Sequence, residues 1–271
     1  MIINKRISKG GVMRKLLTTT LVLLPLSAQA HFLLLKPSTD IVEGSSARKI
    51  EIEARFTHPM EGGPNMPFKP VKSGVFINGR TLPIKWERRE VAAEPGSKEK
   101  VPYYTAEVKL RRPGVYQFFI VPDYYFEPAE EKFIRQIAKV VVDAYGVENG
   151  WDRPIGLKAE IVPVTRPFGI WEGNTFVGRV YFNGRPAPNI TVEVEYLNTR
   201  GIKVPASPFI TQTVKTDKDG YFYYTIPWAG WWGFSAIGNG GKRRYKDGKL
   251  YPVELDAVMW VKAYKKPQGV E

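Results

Sequence analysis

Two imidazoles, His31 and His58, are the only histidines in a 271-residue chain that has no cysteine. Their types and positions point to metal chemistry. If the chain is cut after Ala30, His31 becomes the first residue, and a free N-terminal histidine offers two nitrogens at once. Its α-amine has a reference pKa of roughly 7.7–8.0, so a metal displaces its proton readily. Amine and Nδ1 together close a six-membered chelate ring. His58 then adds a third nitrogen, the arrangement called a histidine brace, and imidazole suits nickel, cobalt, copper and zinc. Met60, Glu61 and Glu127 are further candidate donors, a soft thioether and two carboxylates. Each also has a plainer reading: a methionine in a loop is a hydrophobic plug, and most loop carboxylates are solvated. Met66 and the aromatic run Tyr124-Tyr125-Phe126 share that choice between rim and core.

The cut after Ala30 has its own signal. Arg14 and Lys15 precede an apolar stretch from Leu16 to Leu26, and Ser27-Ala28-Gln29-Ala30 supplies the small-x-small pattern of a signal peptidase site. The stretch is too short for a stable bilayer span, which takes about 20 residues. Residues 1–30 are therefore expected to be a cleaved signal peptide, starting at Met1 or Met13, and the mature chain is expected in the periplasm without a covalent membrane anchor. The formal net charge of +13 drops by the five leader bases, Lys5, Arg6, Lys9, Arg14 and Lys15, to +8. The remaining cations are scattered except for Lys242-Arg243-Arg244-Tyr245-Lys246. Flanked by Gly240-Gly241 and Asp247-Gly248, that run reads as a solvated hairpin tip, and nucleic acid is not an expected partner.

The elements that must position the histidines are strands. Ile50, Ile52, Ala54 and Phe56 share one parity while Glu51, Glu53, Arg55 and Thr57 share the other, a half-buried strand. Phe32–Leu35 reads as a strand leaving the N-terminus, and residues 36–46 as a long turn. If the two strands are antiparallel, His31 and His58 meet at one end of the sandwich, with His58 on the inward parity. Further strands are predicted at Gly74–Ile77, Tyr104–Leu110, Val115–Val121, Lys139–Ala144, Thr175–Phe182, Ile190–Tyr196 and Ala257–Tyr264. Turn signals such as Asn78-Gly79, Glu94-Pro95-Gly96 and Arg112-Pro113-Gly114 punctuate them. One short helix is expected at Pro128–Ile137, where Glu130, Glu131 and Lys132 follow a proline. The fold class is all-β: two consecutive β-sandwich domains, an N-terminal one over 31–146 carrying the metal site and a C-terminal one over 158–271, joined by a glycine-rich linker over 147–157.

The first sandwich is expected to be immunoglobulin-like. The second resembles the transthyretin or carboxypeptidase-regulatory sandwich over residues 172–264. A strand is followed by Asn183-Gly184-Arg185-Pro186, another strand, Thr216-Asp217-Lys218-Asp219-Gly220-Tyr221 and Gly230-Trp231-Trp232. That resemblance implies a fold and almost nothing about function. Enzymatic signatures are missing: there is no G-x-S-x-G, P-loop or dinucleotide fingerprint, no cysteine nucleophile, and no third histidine for a serine triad.

Longer motifs carry a second resemblance. His31-Phe32-Leu33-Leu34-Leu35-Lys36-Pro37, Arg55-Phe56-Thr57-His58-Pro59-Met60-Glu61-Gly62-Gly63-Pro64, Glu127-Pro128-Ala129-Glu130-Glu131-Lys132-Phe133-Ile134, Glu160-Ile161-Val162-Pro163 and Ala229-Gly230-Trp231-Trp232-Gly233-Phe234 occur in this order. In these the chain resembles the periplasmic NikK-type components, sometimes labelled NikM, of energy-coupling-factor nickel/cobalt importers. The resemblance implies Ni²⁺ or Co²⁺ binding without catalytic turnover, and membrane subunits of a nickel/cobalt importer as partners. The ligands His31 and His58 come from the chemistry above, not from the resemblance. Rival readings are a copper histidine-brace protein, either a carrier supported by Met60 and Met66 or a monooxygenase-like oxidase, and an adhesive β-sandwich pair with no metal.

Overall fold

In a computed structural model, residues 31–44 and 49–269 are described; the signal peptide predicted over 1–30 lies outside them. Among the described residues there are strands and turns, one 3₁₀ turn at Ser207–Phe209, and no α-helix. No helix there is long and apolar enough to cross a membrane. The chain is all-β, built as β-sandwiches as the alternation predicts, and three sheets make them.

An 11-stranded sheet runs through the whole molecule. Its order is Gln212–Lys215, Thr191–Tyr196, Gly230–Arg244, Leu250–Tyr264, Lys132–Ala144, Gly114–Pro122, Pro70–Ile77 and Arg80–Leu82, with three short strands attached. A five-stranded sheet of Phe32–Pro37, Lys49–Thr57, Lys100–Lys109 and Glu87–Ala92, with Asn65–Met66 alongside, covers part of one face. A four-stranded sheet of Ala159–Pro163, Thr175–Phe182, Arg185–Pro186 and Tyr221–Thr225 covers part of the other. The two sandwiches therefore share a sheet. Their seam is the parallel pairing of Lys132–Ala144 with Leu250–Tyr264, in register from Phe133 opposite Val253 to Val140 opposite Trp260.

Period-two alternation explains how one strand serves two cores. In Lys132–Ala144, Ile134, Ala138, Val140 and Val142 face the five-stranded sheet, while Ile137 and Val141 face the four-stranded one. Val258 and Trp260 face the first core; Ala257, Met259 and Val261 face the second. Strands apolar on both faces are what a sheet covered on both sides demands. Gly233 is part of the same packing, since a Cβ there would lie 2.8 Å from the Trp260 ring and 3.0 Å from Phe32.

The helix expected at Pro128–Ile137 is absent. Residues 128–131 form a turn with Glu131 at φ 50°, and Lys132 opens a 13-residue strand. Helix propensity is worth only tenths of a kcal/mol per residue. Burying Ile134, Ile137 and Ala138 in the cores on the two faces of the central sheet, and Phe133 against Phe126 and Tyr245, outweighs it. Most other predicted strands appear with similar bounds, Thr175–Phe182 without change, and the alternation from Ile50 to Thr57 lies within the strand Lys49–Thr57.

Buried polar groups tie the layers together. Lys139 in the central sheet pairs with Glu160 of the four-stranded sheet at 2.8 Å, both fully buried. Glu160 also accepts hydrogen bonds from the N–H groups of Ile155, Gly156 and Leu157, which fastens the segment entering the second half.

Candidate functional site

The N-terminal strand Phe32–Pro37 is an edge of the five-stranded sheet and pairs antiparallel with Lys49–Thr57, Phe32 opposite Thr57. His31 and His58 are the next residues outward on each strand, so they lie side by side. Their ring centroids are 4.6 Å apart with planes inclined by 54°. The strand's other edge is satisfied from the central sheet. Gln136 Oε1 accepts from Leu33 N–H at 2.6 Å, Gln136 Nε2 donates to the His31 carbonyl, and Trp260 Nε1 donates to the Leu33 carbonyl at 3.0 Å. The Gln136 amide thus takes the place of a neighbouring peptide group and sets the height at which His31 leaves the sheet. It also donates to Asp256 Oδ2 at 3.1 Å.

His58 is 2% exposed. Burial first, and then the nearby His31, lower its pKa to about 4, against a weaker upward pull from Glu127. It is therefore a neutral imidazole at neutral pH, the form that can ligate a metal. Its loop is pinned. Gly62, at φ 78°, turns the chain back so that the N–H groups of Gly62 and Gly63 both reach the His58 carbonyl, at 3.0 and 3.2 Å. From the second half, Asn198 N–H donates to the Pro59 carbonyl and Glu195 accepts from Met60 N–H at 3.2 Å.

Glu127 closes the other side, 3.3 Å from His31 Nε2 through Oε2, with both side chains largely shielded. Its Oε1 accepts from Ala129 N–H at 3.1 Å, and it accepts a hydrogen bond from the Tyr125 hydroxyl. Burial and the Glu127 charge push that phenol up to about 12, so it stays a donor. The short strand Tyr125–Glu127 is braced from outside. Phe126 stacks on Tyr245 of the Gly230–Tyr264 hairpin at 4.0 Å, and the Tyr124 ring lies within reach of the guanidinium groups of Arg135 and Arg243, 4.5 and 4.3 Å from its centroid.

The remaining candidates separate from this centre. Met60 is buried in the core facing the four-stranded sheet and Met66 in the core facing the five-stranded one, so both are hydrophobic plugs. Glu61 is exposed. Among the described residues no set of three or more His, Cys, Asp or Glu side chains is arranged to hold a metal ion. What comes together is a pair of imidazoles with one carboxylate on the first. Reasoning from residue types missed Gln136, and it placed Tyr125 only in an aromatic rim or core, not as a hydrogen-bond donor to Glu127. Gln136 had a signal: it is a polar residue on the apolar parity of Ile134, Ala138 and Val140.

The family model of a domain of unknown function, DUF4198, matches residues 28–240, a span that includes His31, His58 and Glu127. No curated protein matches the chain. Among solved structures, BcpA, the major pilin subunit of Bacillus cereus, is 10% identical over 88% of this chain and 69% of its own, at a TM-score of 0.21. The D00-D0 domain of Intimin is 13% identical over 85% of this chain and 100% of its own, also at 0.21.

Proposed function

We propose that this chain, which belongs to the DUF4198 family of unknown function, is an exported carrier that holds a divalent transition metal between His31 and His58. The cargo is nickel or cobalt, and membrane subunits of an importer receive it; no turnover is involved. The observation that carries the reading is the adjacency of the two imidazoles, with centroids 4.6 Å apart and His58 kept neutral. The likeness of the motifs around both histidines to NikK-type importer components supports the choice of metal and partner.

Two side chains are enough because the third nitrogen is the main chain's own. In the precursor that nitrogen is an amide joined to Ala30; cleavage turns it into an amine. Chelation through amine and Nδ1 leaves Nε2 pointing away from the metal, and Nε2 is the atom 3.3 Å from Glu127. Glu127 is then the carboxylate that orients the ring rather than a ligand, a common partner for metal-binding imidazoles. Since His58 carries no proton at neutral pH, the α-amine is the group whose proton must leave, so affinity falls as pH drops below roughly 7.7–8.0.

Calorimetry of Ni²⁺ into two forms tests this, one beginning at His31 and one retaining Ala30. The form beginning at His31 binds more tightly, by at least about tenfold, and releases a proton on binding. Equal affinity and equal proton release in the two forms would sink the brace. Co²⁺, Zn²⁺ and Cu²⁺ run in parallel rank the cargo; Cu²⁺ binding tightest follows for any nitrogen site and does not by itself identify a copper protein.

A further inference from the structure

At the opposite end of the N-terminal sandwich, two turns enclose an open cleft of about 640 Å³. One is the tip joining Pro70–Ile77 to Arg80–Leu82; the other joins Lys100–Lys109 to Gly114–Pro122. Gly114 lets them approach: a Cβ there would lie 3.1 Å from Ile77 Cδ1. Arg80, Lys109, Arg111 and Arg112 line the cleft together with Leu82 and Tyr116, and no carboxylate does. Among the described residues none of these four cations is in an ion pair. The nearest acid along the strand, Glu107, is engaged by Lys49 at 2.7 Å.

Four uncompensated cations repel one another unless an anion joins them. The turn that carries two of them is held in place beforehand. Tyr116 donates its hydroxyl to the Arg112 carbonyl at 2.8 Å, and Tyr145 donates to the Leu110 carbonyl at 3.0 Å. Guanidinium groups on a fixed turn match phosphate oxygens two at a time, which a lysine cannot do. The volume lies within the usual range of small-molecule sites, about 300–1,000 Å³, and Leu82 and the Tyr116 ring add an apolar wall.

We propose that this cleft binds a phosphate-bearing anion, with Arg80, Arg111 and Arg112 as bidentate contacts, Lys109 as a point charge and the Leu82–Tyr116 wall against the rest of the ligand. It is independent of the metal reading. Lys49 opposite Lys109 marks the far end of the strand whose other end leads to His58, about 30 Å away at 3.3 Å per residue.

A soluble phosphate and a lipid headgroup share this chemistry, and two arms separate these sources: calorimetry with inorganic pyrophosphate, and co-sedimentation with phosphatidylglycerol against phosphatidylcholine vesicles. Each is run on the mature chain, on the Arg111→Gln/Arg112→Gln variant, and on Arg244→Gln/Lys246→Gln. The last removes the same charge from the distant hairpin tip. All four side chains are exposed, so the variants retain the fold, which circular dichroism verifies. Binding in either arm that weakens by about tenfold or more in the cleft variant and not in the hairpin variant supports the site and names its source. Binding in neither arm, or equal weakening in both variants, overturns it.

Discussion

Acidifying the metal-free mature chain should expose the energetic cost of burying His58. An ordinary histidine has a pKa of 6.5, and burial lowers this one to about 4. The folded protein therefore binds fewer protons than the unfolded chain between those values. Stability from this group is fully present above pH 6.5, is lost as pH falls, and stops changing below about 4. A difference of about 2.5 units at 1.36 kcal/mol each corresponds to about 3 kcal/mol across that window. At 2% exposure little solvent screening reduces it. Buried carboxyls act in the opposite sense. Burial raises Glu193 to about 7 and Glu195 to about 8, so their contribution is present in acid and fades as pH rises through those values. The comparison must therefore be with His58→Asn, which removes the imidazole and leaves the carboxyls. Urea unfolding followed by tryptophan fluorescence, in chelator, from pH about 7.5 to about 4.5, gives the difference in stability between the two proteins. That difference should shift against wild type by about 2–3 kcal/mol toward acid. A difference that stays flat with pH would falsify the reading of His58 as a neutral, buried imidazole.

Two further outcomes follow from the geometry. Glu127→Gln should lower Ni²⁺ affinity by about 10- to 100-fold, the usual cost of losing an orienting partner. A much larger loss by calorimetry would make Glu127 a ligand after all. Lys139→Met should destabilise the fold by about 3–5 kcal/mol, because it leaves Glu160 buried without its counter-charge. Adding Glu160→Met should recover little of this, since the N–H groups of Ile155, Gly156 and Leu157 then lose their acceptor. Denaturant midpoints of the single and double variants decide it.

The sequence alone was enough for whatever depends on local periodicity. Parity in Lys49–Thr57 and the turn signals define strands, and one antiparallel pairing between neighbouring strands brings His31 to His58. Two residues just beyond the free ends of neighbouring antiparallel strands must meet if those strands pair, so this part of the site was legible. The helix expected at Pro128–Ile137 shows where local reasoning stops. Its residues have helical propensity, yet they sit at the seam where a strand from the first half pairs in parallel with one more than a hundred residues later. Only the tertiary structure decides that pairing, because it depends on burying both faces of each strand against two separate sheets. It also decides that Met60 and Met66 enter different cores, that Gln136 holds the backbone of His31, and that Glu127 faces Nε2. Alternation along a chain says which side chains share a face of a strand. It carries no information about which distant strand lies beside that face, and these contacts exist only once that choice is made.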